Sequence, residues 1–247
     1  MELKAVVLAA GKGTRLRTEG NDLPKVMRRA LDKPLLQYVL DALDFIDKKD
    51  IIIVVGYKKE DVISAYGDYP YAVQHEQLGT GHAVMAAKDL LSGFDGAVLV
   101  CCGDMPLIRK ETYEALFETF EKENSDCTVL SGVMDDPGSY GRIIRDENGG
   151  FLKITEAKDC TEEELKVNEV NSGLYIFSAE KLLASLNKLS NDNAQAEYYL
   201  TDVPEIILSS GGSVSICRRD LGDELIGVNT VEQLRQVESI LQNERKD

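Results

Sequence analysis

The chain has 247 residues, 43% of them apolar and 29% charged, a balance that suits a folded globular protein and excludes a disordered or fibrous one. Its formal net charge of −15 repels nucleic acid and anionic membrane, so neither is expected as a partner; a small phosphorylated ligand is expected only where cations are concentrated locally. Five cysteines without a CxxC pair, and only two histidines, argue against a zinc site and suit a reducing, cytoplasmic setting. The N-terminal apolar run is too short for a secretory signal, and no run approaches the roughly 20 residues that span a bilayer.

Ala5–Leu8 is a short apolar run that reads as a strand buried on both faces. Behind it comes LAAGKGTRLRTEGNDLPK, residues 8–25. Ala9, Ala10, Gly11 and Gly13 carry no bulky side chain, so main chain here can approach a ligand closely, and Lys12, Arg15 and Lys25 add cations. A P-loop would need a glycine five residues before the Gly11–Lys12 pair and a Ser or Thr after it; the chain has Val6 and Gly13 there. A dinucleotide fingerprint would need a third glycine where Leu16 stands. Two readings survive: a nest of N–H groups for an anion, or a glycine-rich turn with solvated lysines.

Further along, residues 34–46 predict a helix with Leu36, Val39, Leu40 and Leu43 on one face, and Ile51–Val55 a buried strand. Residues 80–91 predict a helix with Thr80 as its N-cap, 97–101 a strand, and 109–123 a helix. Strand and helix in alternation predict right-handed crossovers and a Rossmann-like, doubly wound, mostly parallel α/β sheet, with ligands at the carboxyl ends of its strands. Asp104 lies just past the third strand, in a Gly-Asp pair at its carboxyl end, where an aspartate reads as a turn or helix-capping residue. After residue 126 the pattern is mixed: 127–133, 142–145, 151–155 and 173–177 predict strands, some antiparallel. Residues 201–210 and 230–242 predict helices, the last opened by a Thr230/Gln233 capping box. No linker or repeat interrupts the chain, so 1–247 is expected to be one domain with halves 1–125 and 126–229 and a terminal helix 230–247.

LAAGKGTRL…LPKVM resembles the signature of the sugar-phosphate nucleotidylyltransferases, and within them the uridylyltransferases that make UDP-N-acetylglucosamine. The likeness continues in family order through QHEQLGTGHAV (74–84), CGDMPLI (102–108), YGRIIR (140–145), EAKDCT (156–161), NEVNSGLYIF (168–177), NAQAEYYLTDV (193–203) and GVN (227–229). It implies that UTP and a hexosamine 1-phosphate are the ligands and that the first half of the chain binds the nucleotide, the second the sugar. The sugar phosphate oxygen attacks the α-phosphorus and pyrophosphate leaves. That nucleophile is already anionic at neutral pH, so no general base is required. The barrier is repulsion: each unit pair at about 4 Å costs roughly 4 kcal/mol at an effective dielectric of 20.

The same resemblance implies nucleotide contacts from Leu8, Ala9, Ala10, Gly11, Lys12, Gly13, Gln74, Gly79, Thr80, Cys102 and Gly103, with Gln74 and Gly79 reading uracil. Arg15 and Lys25 would hold phosphates, and Asp104 and Asn229 would share a Mg²⁺. Lys12 also reads as a plain surface lysine, and Asn229 as a helix cap. Gly141, Glu156 and Asn171 would contact the sugar. His82, Tyr198 and Tyr199 read as packing residues. The chain departs from the pattern in an enlarged loop, 17–21, and in Ala196, where a glycine is usual. It also lacks the hexapeptide repeats of the acetyltransferase half of bifunctional members, so no acetyl transfer is expected. Such an enzyme would feed sugar nucleotides to the cell envelope. The alternatives are a related enzyme using dTTP, CTP or glucose 1-phosphate, and a non-catalytic nucleotide-sugar sensor.

Overall fold

The computed structural model describes residues 1–16 and 23–245, so the enlarged loop 17–21 lies outside the described residues. The strands are β1 (Leu3–Ala9), β2 (Arg29–Ala30), β3 (Lys33–Pro34), β4 (Ile51–Val55), β5 (Tyr71–Val73), β6 (Ala97–Cys102), β7 (Cys127–Val133), β8 (Arg142–Arg145), β9 (Phe151–Thr155), β10 (Glu169–Ser178) and β11 (Val214–Arg218). The helices are α1 (Leu35–Ala42), α2 (Lys59–Tyr66), α3 (Thr80–Ala86), α4 (Lys88–Leu91), α5 (Lys110–Glu123), α6 (Ala179–Leu186), α7 (Val203–Ser209) and α8 (Val231–Glu244). Among the described residues no helix is long and apolar enough to cross a membrane.

One sheet has the order β11-β7-β10-β6-β1-β4-β5, and β8 and β9 extend it from β10. β6, β1, β4 and β5 are parallel neighbours. β10 runs antiparallel to β6, β7 and β8, which is the expected elaboration of the second half. All of β4 and nearly all of β6 are buried, as strands covered on both faces must be. From β1 the chain goes to β4 on one side and later to β6 on the other. This reversal leaves a crevice at the carboxyl ends of β1 and β6.

Strands 127–133, 142–145 and 151–155 fall where the sequence places them. The helix over 80–91 breaks at Ala87, whose backbone sits at φ −89° and ψ 0°, giving α3 and α4. β10 starts at Glu169 rather than 173, and its register with β7 shifts between Asn171 and Tyr175, where Gly173 has φ +82°. Six elements escape a reading of hydrophobic pattern, two of them the two-residue strands β2 and β3. α2 buries only Val62 and Tyr66, β5 has three residues, and β11 is mostly half-exposed. α6 follows β10 without a break, so the two merge into one apolar stretch.

Candidate active site

The ends of β1 and β6 are stitched together where the Gly103 N–H donates to Leu8 O at 2.9 Å. Beyond that stitch lies a cavity of ≈ 290 Å³, lined on one side by Leu8, Ala10 and Gly11 and on the other by Gln74, Gly79 and Thr80, with Lys25, Cys102 and Asp104 at its inner end. A second cavity of ≈ 230 Å³ is lined by Gly141, Glu156, Asn171, Gly227 and Asn229. Cys102 and Asp104 line both, so the two spaces meet at Asp104.

That junction is electrostatically organised. Lys25 Nζ donates to the Asp104 carboxylate and, at 2.8 Å, to Asn229 Oδ1. Val228 N–H donates to Asp104 O at 2.9 Å, which draws the GVN turn onto the end of β6. Asn229 does not cap α8. Thr230 does so, in the capping box with Gln233, and Asn229 N–H donates to Gln233 Oε1 at 2.8 Å, leaving its amide oxygen directed at Lys25. Two hard oxygens from residues far apart in the chain thus converge on one ammonium. That geometry suits a small divalent cation, which typically takes one or two protein oxygens and fills its shell with phosphates and water. Among the described residues no group of three or more His, Cys, Asp or Glu forms a cage, so the substrate would have to supply the remaining ligands.

The wall at Gln74 and Gly79 is closely packed. Gly79 has φ +109°, and a Cβ there would come within 2.6 Å of Tyr198 O. Gln74 is buried; its Nε2 donates to Gly79 O at 3.0 Å and faces His82 Nδ1 at 3.2 Å. The amide donors are therefore engaged within the protein and Oε1 remains as an acceptor. His82 is more than a packing residue, since it fixes the orientation of Gln74. Thr80 is not a side-chain cap; its hydroxyl accepts from Leu200 N at 3.0 Å. Gln77 and Glu197 also line this cavity, and the sequence reading missed both. Glu197 makes that end of the cavity less favourable for an anion than the end at Lys25.

Several expected contacts lie elsewhere. Ala9 and Gly103 are buried and outside the lining; Gly103 is glycine because a Cβ would press on Leu8 O, Val26 and Leu36. Gly13, at φ +60°, makes room for Lys25, whose Cβ would lie 2.8 Å from an added Cβ. This glycine serves the protein's own lysine first. Lys12 and Arg15 are exposed and line neither cavity, with Arg15 in a short turn anchored by buried Leu16.

In the second cavity, burial pushes the Glu156 carboxyl above its usual range, opposed by the Thr201 hydroxyl, which donates to Oε1 at 3.0 Å. Asn171 is held by Tyr175, whose hydroxyl accepts from Nδ2 at 2.7 Å, and by Gly173 N–H on Oδ1 at 3.2 Å. Tyr199 packs and also donates to Asp159 Oδ2 at 3.1 Å. The Cys102 thiol is pushed up to about 12 by burial and by Asp104 beside it, so it is a neutral wall and not a nucleophile.

A parallel sheet with its crevice at the reversal of strand order, and two cavities joined at a carboxylate–lysine–amide cluster, define an α/β enzyme that brings a nucleotide to a second ligand. The Nucleotidyl transferase family model matches residues 4–222, and the chain belongs to that family. It is 47% identical to the Bifunctional protein GlmU of Clostridium novyi, over 99% of this chain and 54% of the relative. Against the GlmU of Caldanaerobacter subterraneus it is 45% identical, over 97% of this chain and 52% of that one. The chain therefore spans about half the length of the curated relatives it matches. A Bacillus anthracis structure with bound sucrose, described as a candidate glucose-1-phosphate thymidylyltransferase, superposes with a TM-score of 0.77 at 22% identity, covering 97% of this chain and 95% of that one. At that identity the likeness speaks for the fold.

Proposed function

We propose that this chain transfers the uridylyl group of UTP to N-acetylglucosamine 1-phosphate, giving UDP-N-acetylglucosamine and pyrophosphate. The observation that carries the proposal is the shared wall: Cys102 and Asp104 line both cavities, so ligands filling the two would meet at Lys25, Asp104 and Asn229. Residues 1–125 would hold the nucleotide and 126–229 the sugar. The free Gln74 Oε1 is an acceptor, matched to the N3–H of uracil or thymine and mismatched to the bare N3 of cytosine. Glu156 and Asn171 supply an acceptor and an amide suited to sugar hydroxyl and N-acetyl groups. Identity of 45–47% with GlmU proteins supports the same choice.

In this reading Lys25 exchanges its protein acceptors for the α-phosphate when the nucleotide enters, and Arg15 reaches phosphate from the rim. A divalent cation, here Mg²⁺, would be held by Asp104 and Asn229 and supplies neutralising charge at the phosphate oxygens when bound. With repulsion removed and the two ligands in line, the chain needs no general base.

Pyrophosphate release measured across UTP, dTTP, CTP and ATP, each with N-acetylglucosamine, glucose and galactose 1-phosphates, tests the proposal. UTP with N-acetylglucosamine 1-phosphate should lead in kcat/KM by at least about tenfold, with turnover lost on chelation. A lead for dTTP or for glucose 1-phosphate would reassign the substrates. Nucleotide binding with no turnover for any pair would favour a sensor.

A further inference from the structure

We infer that Tyr140 and Arg142 form a strap that positions the sugar-side cavity, Arg142 from behind its wall and Tyr140 across its mouth. The inference rests on the proposed assignment of this cavity to the sugar phosphate.

Arg142 is 3% exposed and lines neither cavity. A buried guanidinium is costly unless it is paired, yet among the described residues no carboxylate lies within ion-pair distance of it. Its acceptors are two main-chain carbonyls of one loop: Nη1 donates to Tyr140 O, and Nη2 to Gly138 O at 3.2 Å. Its Nε is buried without a partner. A charge kept in the interior to grip two carbonyls fixes the shape of residues 138–141, and Ser139, Tyr140 and Gly141 are one wall of the cavity. A planar fork holds both carbonyls from two donors in fixed geometry, whereas an ammonium is a single point on a shorter stem whose donors rotate freely.

The same loop is tied to the opposite wall. Tyr140 OH donates to Leu225 O at 2.6 Å, although the two residues are 85 apart in the chain. Leu225 leads directly into Gly227 and Asn229, and the intervening Val228 is bonded to Asp104. One phenolic hydrogen bond thus joins the sugar wall to the segment that carries Asn229. Asn171 closes the third side, its N–H donating to Gly141 O at 2.9 Å. The Tyr140 ring faces the cavity, but the hydroxyl acts on the protein.

The test uses Tyr140→Phe, which keeps the ring and removes the clasp, and Arg142→Lys, which keeps the charge and loses the fork. Both variants should show a KM for the sugar 1-phosphate raised about tenfold or more, with the nucleotide KM within about twofold of wild type. Amide hydrogen exchange without ligand supplies a reading independent of substrate identity. Tyr140→Phe should speed exchange at 222–229, and Arg142→Lys at 138–141. A merely structural role would lower the unfolding temperature and leave the ratio of the two KM values unchanged. If the wild type prefers another nucleotide and sugar pair, the substrate proposal fails while the strap is tested on that pair. If it turns over none, exchange alone decides. Unchanged exchange in both segments, or an unchanged sugar KM in Tyr140→Phe, would overturn the inference.

Discussion

The two cavities are built in opposite ways. The cavity proposed for the nucleotide sits on parallel strands and is walled largely by main chain and small residues: Leu8, Ala10, Gly11, Gly79, and an amide whose donors are already engaged. The cavity proposed for the sugar sits on antiparallel strands and is walled by polar side chains from five separate segments, of which Asn171 and Ser172 are buried. Main chain recognises flat, constant features such as a base edge and phosphates, so a short local stretch can encode it. Side chains recognise the placement of hydroxyls, and that requires distant residues to be brought together and kept dry.

The largest test of this contrast lies where the two sides join. Asp104→Ala or Lys25→Ala should reduce turnover by about 10²–10³-fold, with the unfolding temperature little changed, because each removes charge stabilisation at the reacting phosphate. Steady-state kinetics with circular dichroism checks it. A loss of less than tenfold would mean that the reaction is not centred on the junction.

On the nucleotide side the wall itself should be intolerant. Gly79→Ala puts a Cβ at a φ of +109° and within 2.6 Å of Tyr198 O. Destabilisation of about 2 kcal/mol and a raised nucleotide KM are expected, read by thermal unfolding and initial rates. The sugar KM should move less.

The sugar side should instead respond to charge. Glu156→Gln should raise the sugar-phosphate KM about tenfold, the effect of replacing an ionised acceptor. Burial raises the Glu156 pKa, so in the wild type this KM should climb with acidification at a pH above the ordinary carboxylate range. The glutamine variant should lack that acid limb, and a pH series of KM values distinguishes the two.

A neighbouring acid exposes the cost of such a wall. Asp202 is pushed up to about 6 by burial, then by Glu205, Glu156 and Asp159. Its folded pKa lies above its unfolded value near 3.8, so its contribution to stability is fully present below that pH and is lost as pH rises through about 6. Asp202→Asn should therefore raise the melting temperature above pH 6 and have little effect near pH 4. Equal shifts at both pH values would rule out this electrostatic origin.

The smallest effect is expected at Ala196, which takes φ +53° in a turn held by Asn193. A left-handed backbone at this position favours glycine. Ala196→Gly should stabilise by up to about 1 kcal/mol, the relief of strain being offset in part by a freer unfolded chain. Chemical denaturation would resolve the change.

How much of this the sequence showed depended on distance. The parallel strands were legible because burial on both faces writes a continuous apolar run, and β7, β8 and β9 because alternation and turn residues bound them. α2 was not, since a helix that buries two residues leaves almost no periodic trace. Local stretches named most of the lining of the first cavity, yet Gln77 and Glu197 were missed although both lie inside motif blocks, because a block does not say which of its side chains point into a cavity. The roles of His82, Gly13 and Arg142 were hidden for another reason: each acts on a second protein group, and nothing in a linear pattern says which group that is.

The sequence by itself determined the class of the sheet, the order of its elements and the residue types available for the chemistry, because these follow from hydrophobic period, turn preference and charge near at hand. Only the tertiary structure decided that Lys25 would bond an amide 204 residues away, that Asp104 would close both cavities, and that Tyr140 would tie one wall to the other. Those choices depend on the sheet's reversal at β1 and on β10 returning antiparallel beside β6. Contacts set by such crossovers carry no local energy that a stretch of sequence can reveal.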